Sequence, residues 1–119
     1  MLSTHVLDTM NGCPAVGMRV SLYRLGGGAA GAVGELLSAV HLNDDGRAPG
    51  PIVNPSTFEP GRYRLVFEVA EYFRMRGVDL PDPPFLDEVP IDFGVADITL
   101  HYHVPLLTSP WAYSTYRGS

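Results

Sequence analysis

Lysine is missing from this 119-residue sequence, and all eight of its basic residues are arginine. Schiff-base formation and catalysis by a titrating ammonium group are excluded with it. Cysteine is scarce as well: Cys13 stands alone, so no internal disulfide can form and no Cys-x-x-Cys pair exists for zinc or redox work. Cys13 reads as a small residue in a turn. The sequence has no long apolar run and no basic amino-terminal region, so a chain without signal peptide or membrane span, working in the cytoplasm, is expected. Its closing Arg117-Gly118-Ser119 is not a peroxisomal Ser-Lys-Leu. Positive charge is in deficit: thirteen acids give a net charge of −5, which argues against a nucleic-acid or anionic-membrane surface. Neither a Gly-x-Ser-x-Gly elbow nor a phosphate-cradling Gly-x-x-x-x-Gly-Lys frame occurs. Activated water is the better nucleophile for such a chain than serine or cysteine.

What is present is enough for one folded domain over residues 1–119, since 45% of the residues are hydrophobic and 10% aromatic. Alternation with a period of two predicts strands over Thr4 to Asp8, Met18 to Leu25, Leu36 to Asn43 and, most clearly, Arg62 to Val69, with Tyr63, Leu65 and Phe67 on one face. Asn11-Gly12-Cys13-Pro14 breaks the first of these as a turn, and His5 sits early in that strand. The glycine- and alanine-rich tract 26–34 has too little side chain to pack and reads as a linker. Asn43-Asp44-Asp45-Gly46-Arg47 is a second turn, in which Gly46 can take positive φ directly before Arg47.

Prolines from Pro49 to Pro55 and from Pro81 to Pro84 limit regular structure. Ala70 to Arg76 lacks β-branched residues and stops at Gly77, which predicts a short helix. Glu88 to Phe93 and Ile98 to Leu107 add strands. The fold class is therefore all-β: a two-sheet sandwich of seven or eight short strands with one short helix.

The last nineteen residues, His101 to Ser119, hold two of the four histidines, the only tryptophan and three of the six tyrosines. Thr108-Ser109-Pro110 separates an apolar run from a Tyr/Ser/Thr run, so a hairpin is expected there. Centred between Ser109 and Pro110, it pairs His103 with Tyr116 and Pro105 with Ser114, placing His101, His103, Ser114 and Tyr116 on one face. Two chemistries are open to that face. His101-x-His103 is a spacing that metal sites use, although no cysteine, and no carboxylate at strand spacing, completes a third ligand. The other is proton transfer by neutral histidine near pH 7, beside a phenol and a hydroxyl. Arg47, if its turn points at the histidines, could hold a planar carbonyl group or stabilise an oxyanion. Arg117 alternates with Tyr116 and should face away.

Several stretches together carry a resemblance: Leu2-Ser-Thr-His-Val-Leu-Asp-Thr9, Asp45-Gly-Arg47, Tyr72-Phe-Arg, Pro83-Pro-Phe-Leu86, His101-Tyr-His-Val-Pro-Leu-Leu, Ser109-Pro and Tyr116-Arg-Gly-Ser119. From end to end the sequence resembles the enzyme branch of the transthyretin-like family, the hydrolases of 5-hydroxyisourate. The resemblance implies a sandwich of two four-stranded sheets assembled as a homotetramer, with the active sites in a channel at the dimer–dimer interface.

On the matching positions it implies His5, Arg47 and His103 as catalytic residues and Tyr116, Arg117, Gly118 and Ser119 as substrate-binding ones. Ser114 joins the latter by its place on the histidine face. The implied reaction is hydrolysis of the ring amide of 5-hydroxyisourate to 2-oxo-4-hydroxy-4-carboxy-5-ureidoimidazoline by histidine-activated water, in urate catabolism, with no metal or cofactor. Which of His5 and His103 is the base stays open. The implied partners are the substrate and further copies of the chain, with no nucleic acid and no membrane. A small-molecule carrier on the same sandwich is the rival, and it would need neither His103 nor the closing tetrapeptide.

Overall fold

In the computed structural model the described residues are 1–26 and 34–118, so most of the glycine-alanine tract and Ser119 lie outside them. The clearest sequence alternation becomes the best-buried strand. In β5 (Gly61–Glu68), Tyr63, Leu65 and Phe67 are essentially inaccessible, while Arg62 and Arg64 stand on the other face. Removing three such side chains from water is worth about 1.5–3 kcal/mol each. β5 pairs antiparallel with β3 (Arg19–Arg24) on one side and β6 (Glu88–Val95) on the other, and β4 (Glu35–His41) completes the sheet in the order β4-β3-β5-β6.

The second sheet has the order β2-β1-β7-β8, from β1 (Leu2–Asp8), β2 (Cys13–Pro14), β7 (Tyr102–Thr108) and β8 (Tyr113–Thr115). Cys13 thus lies in a two-residue strand paired with Asp8, half-buried and unbridged. β1 and β7 run parallel, with Ser3 beside His103 and His5 beside Pro105. Their even-numbered residues, among them Leu2, Val6, Tyr102, Val104 and Leu106, are buried in the core between the sheets. The odd-numbered residues, including Ser3, His5 and His103, therefore share the outward face.

The helix α1 (Val69–Met75) begins one residue before the expected Ala70 and ends as expected on glycine. Gly77 takes φ +83°, its N–H donates to the Arg74 carbonyl, and the Val78 N–H donates to the Phe73 carbonyl. That pair of bonds is a Schellman cap, which satisfies two of the carbonyls a helix end leaves bare. The inward face of α1 presents Tyr72, whose hydroxyl donates to the buried Asp8 carboxylate at 2.8 Å. The Asn11 backbone and side-chain amides donate to the same carboxylate at 2.9 and 2.8 Å. A buried carboxylate needs such donors, and these tie β1, its turn and α1 together.

Two expectations are corrected. The strand expected from Ile98 starts at Tyr102, because Asp97 folds the chain into a turn by accepting hydrogen bonds from the Thr99 N–H and hydroxyl. The hairpin centre lies between Pro110 and Trp111, one residue later than expected: Leu107 faces Ser114, and His103 faces Gly118 instead of Tyr116. Proline's fixed φ suits the first central position of a turn, not the second. The Ser109 N–H then donates to the Ala112 carbonyl and closes the loop. Each partner shifts by two residues, so Ser114 keeps the face of His103, while Tyr116 lies beyond the ladder, where parity no longer applies.

Pro105 decides where β8 stops. Odd residues of β7 turn their backbone groups toward β8, as the Gly118 N–H to His103 carbonyl bond shows. Pro105 has no N–H to offer Tyr116, and its carbonyl is taken by the Thr115 hydroxyl at 2.7 Å. The ladder therefore breaks after Thr115 and resumes at Gly118. Tyr116, in the gap, is 61% exposed. Among the described residues no helix is long and apolar enough to cross a membrane.

Candidate active site

The outward face of the second sheet gathers the histidines. The ring centroids of His5 and His103 are 6.5 Å apart, and His101 stacks on His103 at 6.4 Å. His5 and His103 are half-buried. His41 lies on β4 of the other sheet and takes no part.

Arg47 reaches this face because its turn is pinned to β1. Asn43 Oδ1 accepts from the Asp45 and Arg47 N–H groups, and the Gly46 N–H donates to the Asn43 carbonyl. The Gly46 carbonyl in turn accepts from the Val6 N–H at 2.9 Å, and Arg47 bridges to His5. Gly46 has φ +73°, and a Cβ there would come within 2.7 Å of the Val6 carbonyl oxygen. Only glycine lets the turn sit this close to the strand.

The electrostatics follow from the packing. Burial, and then the positive charge of Arg47, lower the His5 pKa, partly opposed by Asp45. His103 is lowered by burial, then by Arg47, His5 and His101. Both imidazoles are therefore neutral near pH 7 and able to accept a proton.

The closing tetrapeptide divides. Gly118 is seated on His103, donating its N–H to the His103 carbonyl at 2.7 Å. Ser114 is on the histidine side by strand parity and is exposed; Tyr116, past the end of β8, is also exposed and lines a cavity with Phe93 and with Tyr102 and Val104 of the inward face. Arg117 turns away: its guanidinium lies 4.4 Å from the centre of the Tyr102 ring and donates to the His101 carbonyl, so it is not brought to the histidines. Ser119 is outside the described residues. No group of three His, Cys, Asp or Glu with metal-binding geometry occurs among the described residues.

One neighbour lies outside the residues expected at the site. Ser3 Oγ lies 2.7 Å from His103 Nδ1 and 3.0 Å from His101 Nε2. Its separation of two from His5 placed it on the same face, but its contact with His103 depends on the β1/β7 pairing.

Comparison with known proteins matches residues 2–118 to the family model described as "HIUase/Transthyretin family". The chain belongs to the HIUase/transthyretin family. Within that family it is 55% identical to 5-hydroxyisourate hydrolase 2 of Rhizobium meliloti (strain 1021) over 118 residues, covering 99% of this chain and 95% of that one. The Klebsiella pneumoniae 5-hydroxyisourate hydrolase structure superposes with a TM-score of 0.78 at 35% identity, covering 99% of this chain and 98% of its own. An (S)-allantoin synthase structure superposes with a TM-score of 0.88 at 46% identity, and there the chain spans only 43% of the longer protein.

Proposed function

We propose that this chain, as one domain, hydrolyses the ring amide of 5-hydroxyisourate to 2-oxo-4-hydroxy-4-carboxy-5-ureidoimidazoline, with His103 as general base toward water. The observation that carries this reading is one face on which two imidazoles are kept neutral by burial and by the Arg47 guanidinium. The name of its end-to-end Rhizobium relative supports the substrate.

In the first step water attacks the ring carbonyl, a C–O bond forms, and the water's proton passes to His103. General-base help of this kind contributes about 10²–10⁴-fold. Negative charge develops on the carbonyl oxygen and is stabilised by Arg47, a term worth about 2.7–4 kcal/mol. The intermediate then collapses: the ring C–N bond breaks, and the imidazolium returns its proton to the departing nitrogen. His5, with its ring centroid 6.5 Å from that of His103, orients the substrate across the pair. Tyr116 and Ser114 supply binding contacts from β8 and the segment beyond it.

The same reading makes the working unit a cytoplasmic homotetramer, in which further copies cover the outward face of the second sheet. The exposure of Trp111 at 57% and Tyr116 at 61% in the single chain supports such cover. Sedimentation at micromolar concentration tests it, a monomer being the contrary result. For the activity, fresh 5-hydroxyisourate is followed by ultraviolet absorbance with and without the protein. Accelerated decay is expected, and an unchanged decay rate would remove the hydrolase reading.

A further inference from the structure

Ser3 stands beside His103 in the parallel β1/β7 register, and its hydroxyl touches two imidazoles at once. A serine hydroxyl has one proton to give and two lone pairs to receive with. It can donate to only one of the rings, and the other ring must donate to it. Two arrangements satisfy this. In one, Ser3 donates to His101 Nε2 and accepts from the His103 Nδ1–H, which leaves His103 Nε2 as a basic nitrogen. In the other, Ser3 donates to His103 Nδ1, and His103 carries its proton on Nε2, where it cannot take one from water.

We propose that Ser3 is a positioning residue for His103: its hydroxyl, directed by His101 as acceptor, holds His103 in the Nδ1–H tautomer and leaves Nε2 basic toward the substrate. This rests on the reading of His103 as general base. Two observations and the requirement of the reaction itself favour this direction of the bond. The Cδ2 edge of His103, which adjoins Nε2, faces Gly118, so Nε2 lies on the tail side of the ring and not on the Ser3 side. Once His103 has taken a proton both ring nitrogens are donors, and Nδ1 already donates to Ser3, so no hydroxyl has to turn during the reaction.

The second observation is the charge around the ring. Among the described residues the groups acting on His103 are Arg47, His5 and His101, with no carboxylate among them. A carboxylate at Nδ1 would fix the same tautomer but would favour the imidazolium at neutral pH. A hydroxyl fixes the tautomer and leaves the ring neutral. Ser3 and His101 are thus a charge-free substitute for the acid that orients a base histidine in hydrolytic triads.

The test pairs ring-nitrogen NMR of histidine-labelled protein with steady-state kinetics on the full chain, for wild type, Ser3→Ala, Ser3→Thr and His101→Phe. Only the Ser3 backbone enters the sheet ladder, so loss of its hydroxyl leaves the β1/β7 pairing in place. Wild type and Ser3→Thr are expected to show His103 protonated at Nδ1. Ser3→Ala and His101→Phe should both lose that tautomer. By analogy with the removal of groups that orient a ligand histidine, kcat in Ser3→Ala should fall about 10–100-fold. An effect on positioning alone leaves KM within about twofold. An Nε2–H tautomer in wild type overturns the proposal, as does a Ser3→Ala protein with unchanged tautomer and kcat. The tautomer is read without turnover, so a wild type inactive on 5-hydroxyisourate would refute the hydrolase reading while the NMR still decides the role of Ser3.

Discussion

Gly118 and His103 fit together only because Gly118 has no side chain. A Cβ built on Gly118 would lie 2.6 Å from His103 Cδ2 and 3.2 Å from its Cβ and Cγ. Nothing flexible stands between them, so any larger residue must displace the ring or the tail.

Gly118→Ala should therefore damage the site without unfolding the protein. A misplacement of about 1 Å in a catalytic group costs about 100-fold in rate, and that is the expected loss in kcat/KM. The thermal midpoint should change little, because Gly118 belongs to the segment beyond β8 and lies outside the hydrophobic core. A fully active Gly118→Ala enzyme would show that the seat of the tail on His103 does not matter.

The neutral imidazoles set the pH dependence. Burial first and the Arg47 charge second hold both His5 and His103 below the ordinary histidine value. Activity should be level around pH 7 and fall only as pH drops through these lowered values, below about 6.5. Stability has the same sign. The unfolded chain takes up these protons at higher pH than the folded one, so the contribution of the neutral rings is complete above the unfolded value and is lost as pH falls. A profile of kcat/KM against pH checks this, and an acid limb above the ordinary histidine value would contradict it.

Arg47 enters the account twice, and Arg47→Gln separates it from a residue that only binds. Loss of an oxyanion donor should lower kcat by about 10²–10³-fold. Loss of its charge should also let the His5 and His103 pKa values rise, moving the acid limb of the profile to higher pH. A variant with raised KM, unchanged kcat and an unmoved limb would make Arg47 a binding group alone.

Much of this architecture could be read from local pattern. The alternation of Tyr63, Leu65 and Phe67 is a property of one segment, and the sheet keeps it. The helix cap at Gly77 and the turn before Arg47 are also written in neighbouring residues. What stayed hidden depends on partners far apart in sequence. No local signal says that β1 lies parallel to β7, and that pairing alone brings Ser3 to His103. The hairpin centre lies one residue beyond the expected one, because Pro110 prefers the first central position of the loop. An even shift keeps parity, so Ser114 stays on the face of His103, while Tyr116, outside the ladder, lines a cavity with Tyr102 and Val104. Arg117 was expected to face away by parity and to bind substrate by resemblance, and its stacking on Tyr102 follows the parity.

Away from the site, Tyr72→Phe tests what holds β1 to the helix. Burial alone would raise the Asp8 carboxyl, but hydrogen bonds from Asn11 and Tyr72 bring it below the usual carboxylate value. Losing a hydrogen bond to a charged group should cost about 1.5–3 kcal/mol in denaturant unfolding. The Asp8 contribution is present above the unfolded carboxyl value and is lost as pH falls through the lowered one, so the gap between wild type and Tyr72→Phe should narrow in acid. Equal stability of the two proteins at neutral pH would contradict this.

The central claim is that His103 takes the proton from the attacking water. Its most direct test is the initial rate of loss of fresh 5-hydroxyisourate, followed by ultraviolet absorbance, with wild-type protein and with His103→Ala at equal concentration. The expected result is rapid decay with wild type and a rate lower by about 10²–10⁴-fold with the variant, its fold and assembly unchanged. Equal rates from the two proteins would contradict the claim and move the base elsewhere on the face, to His5.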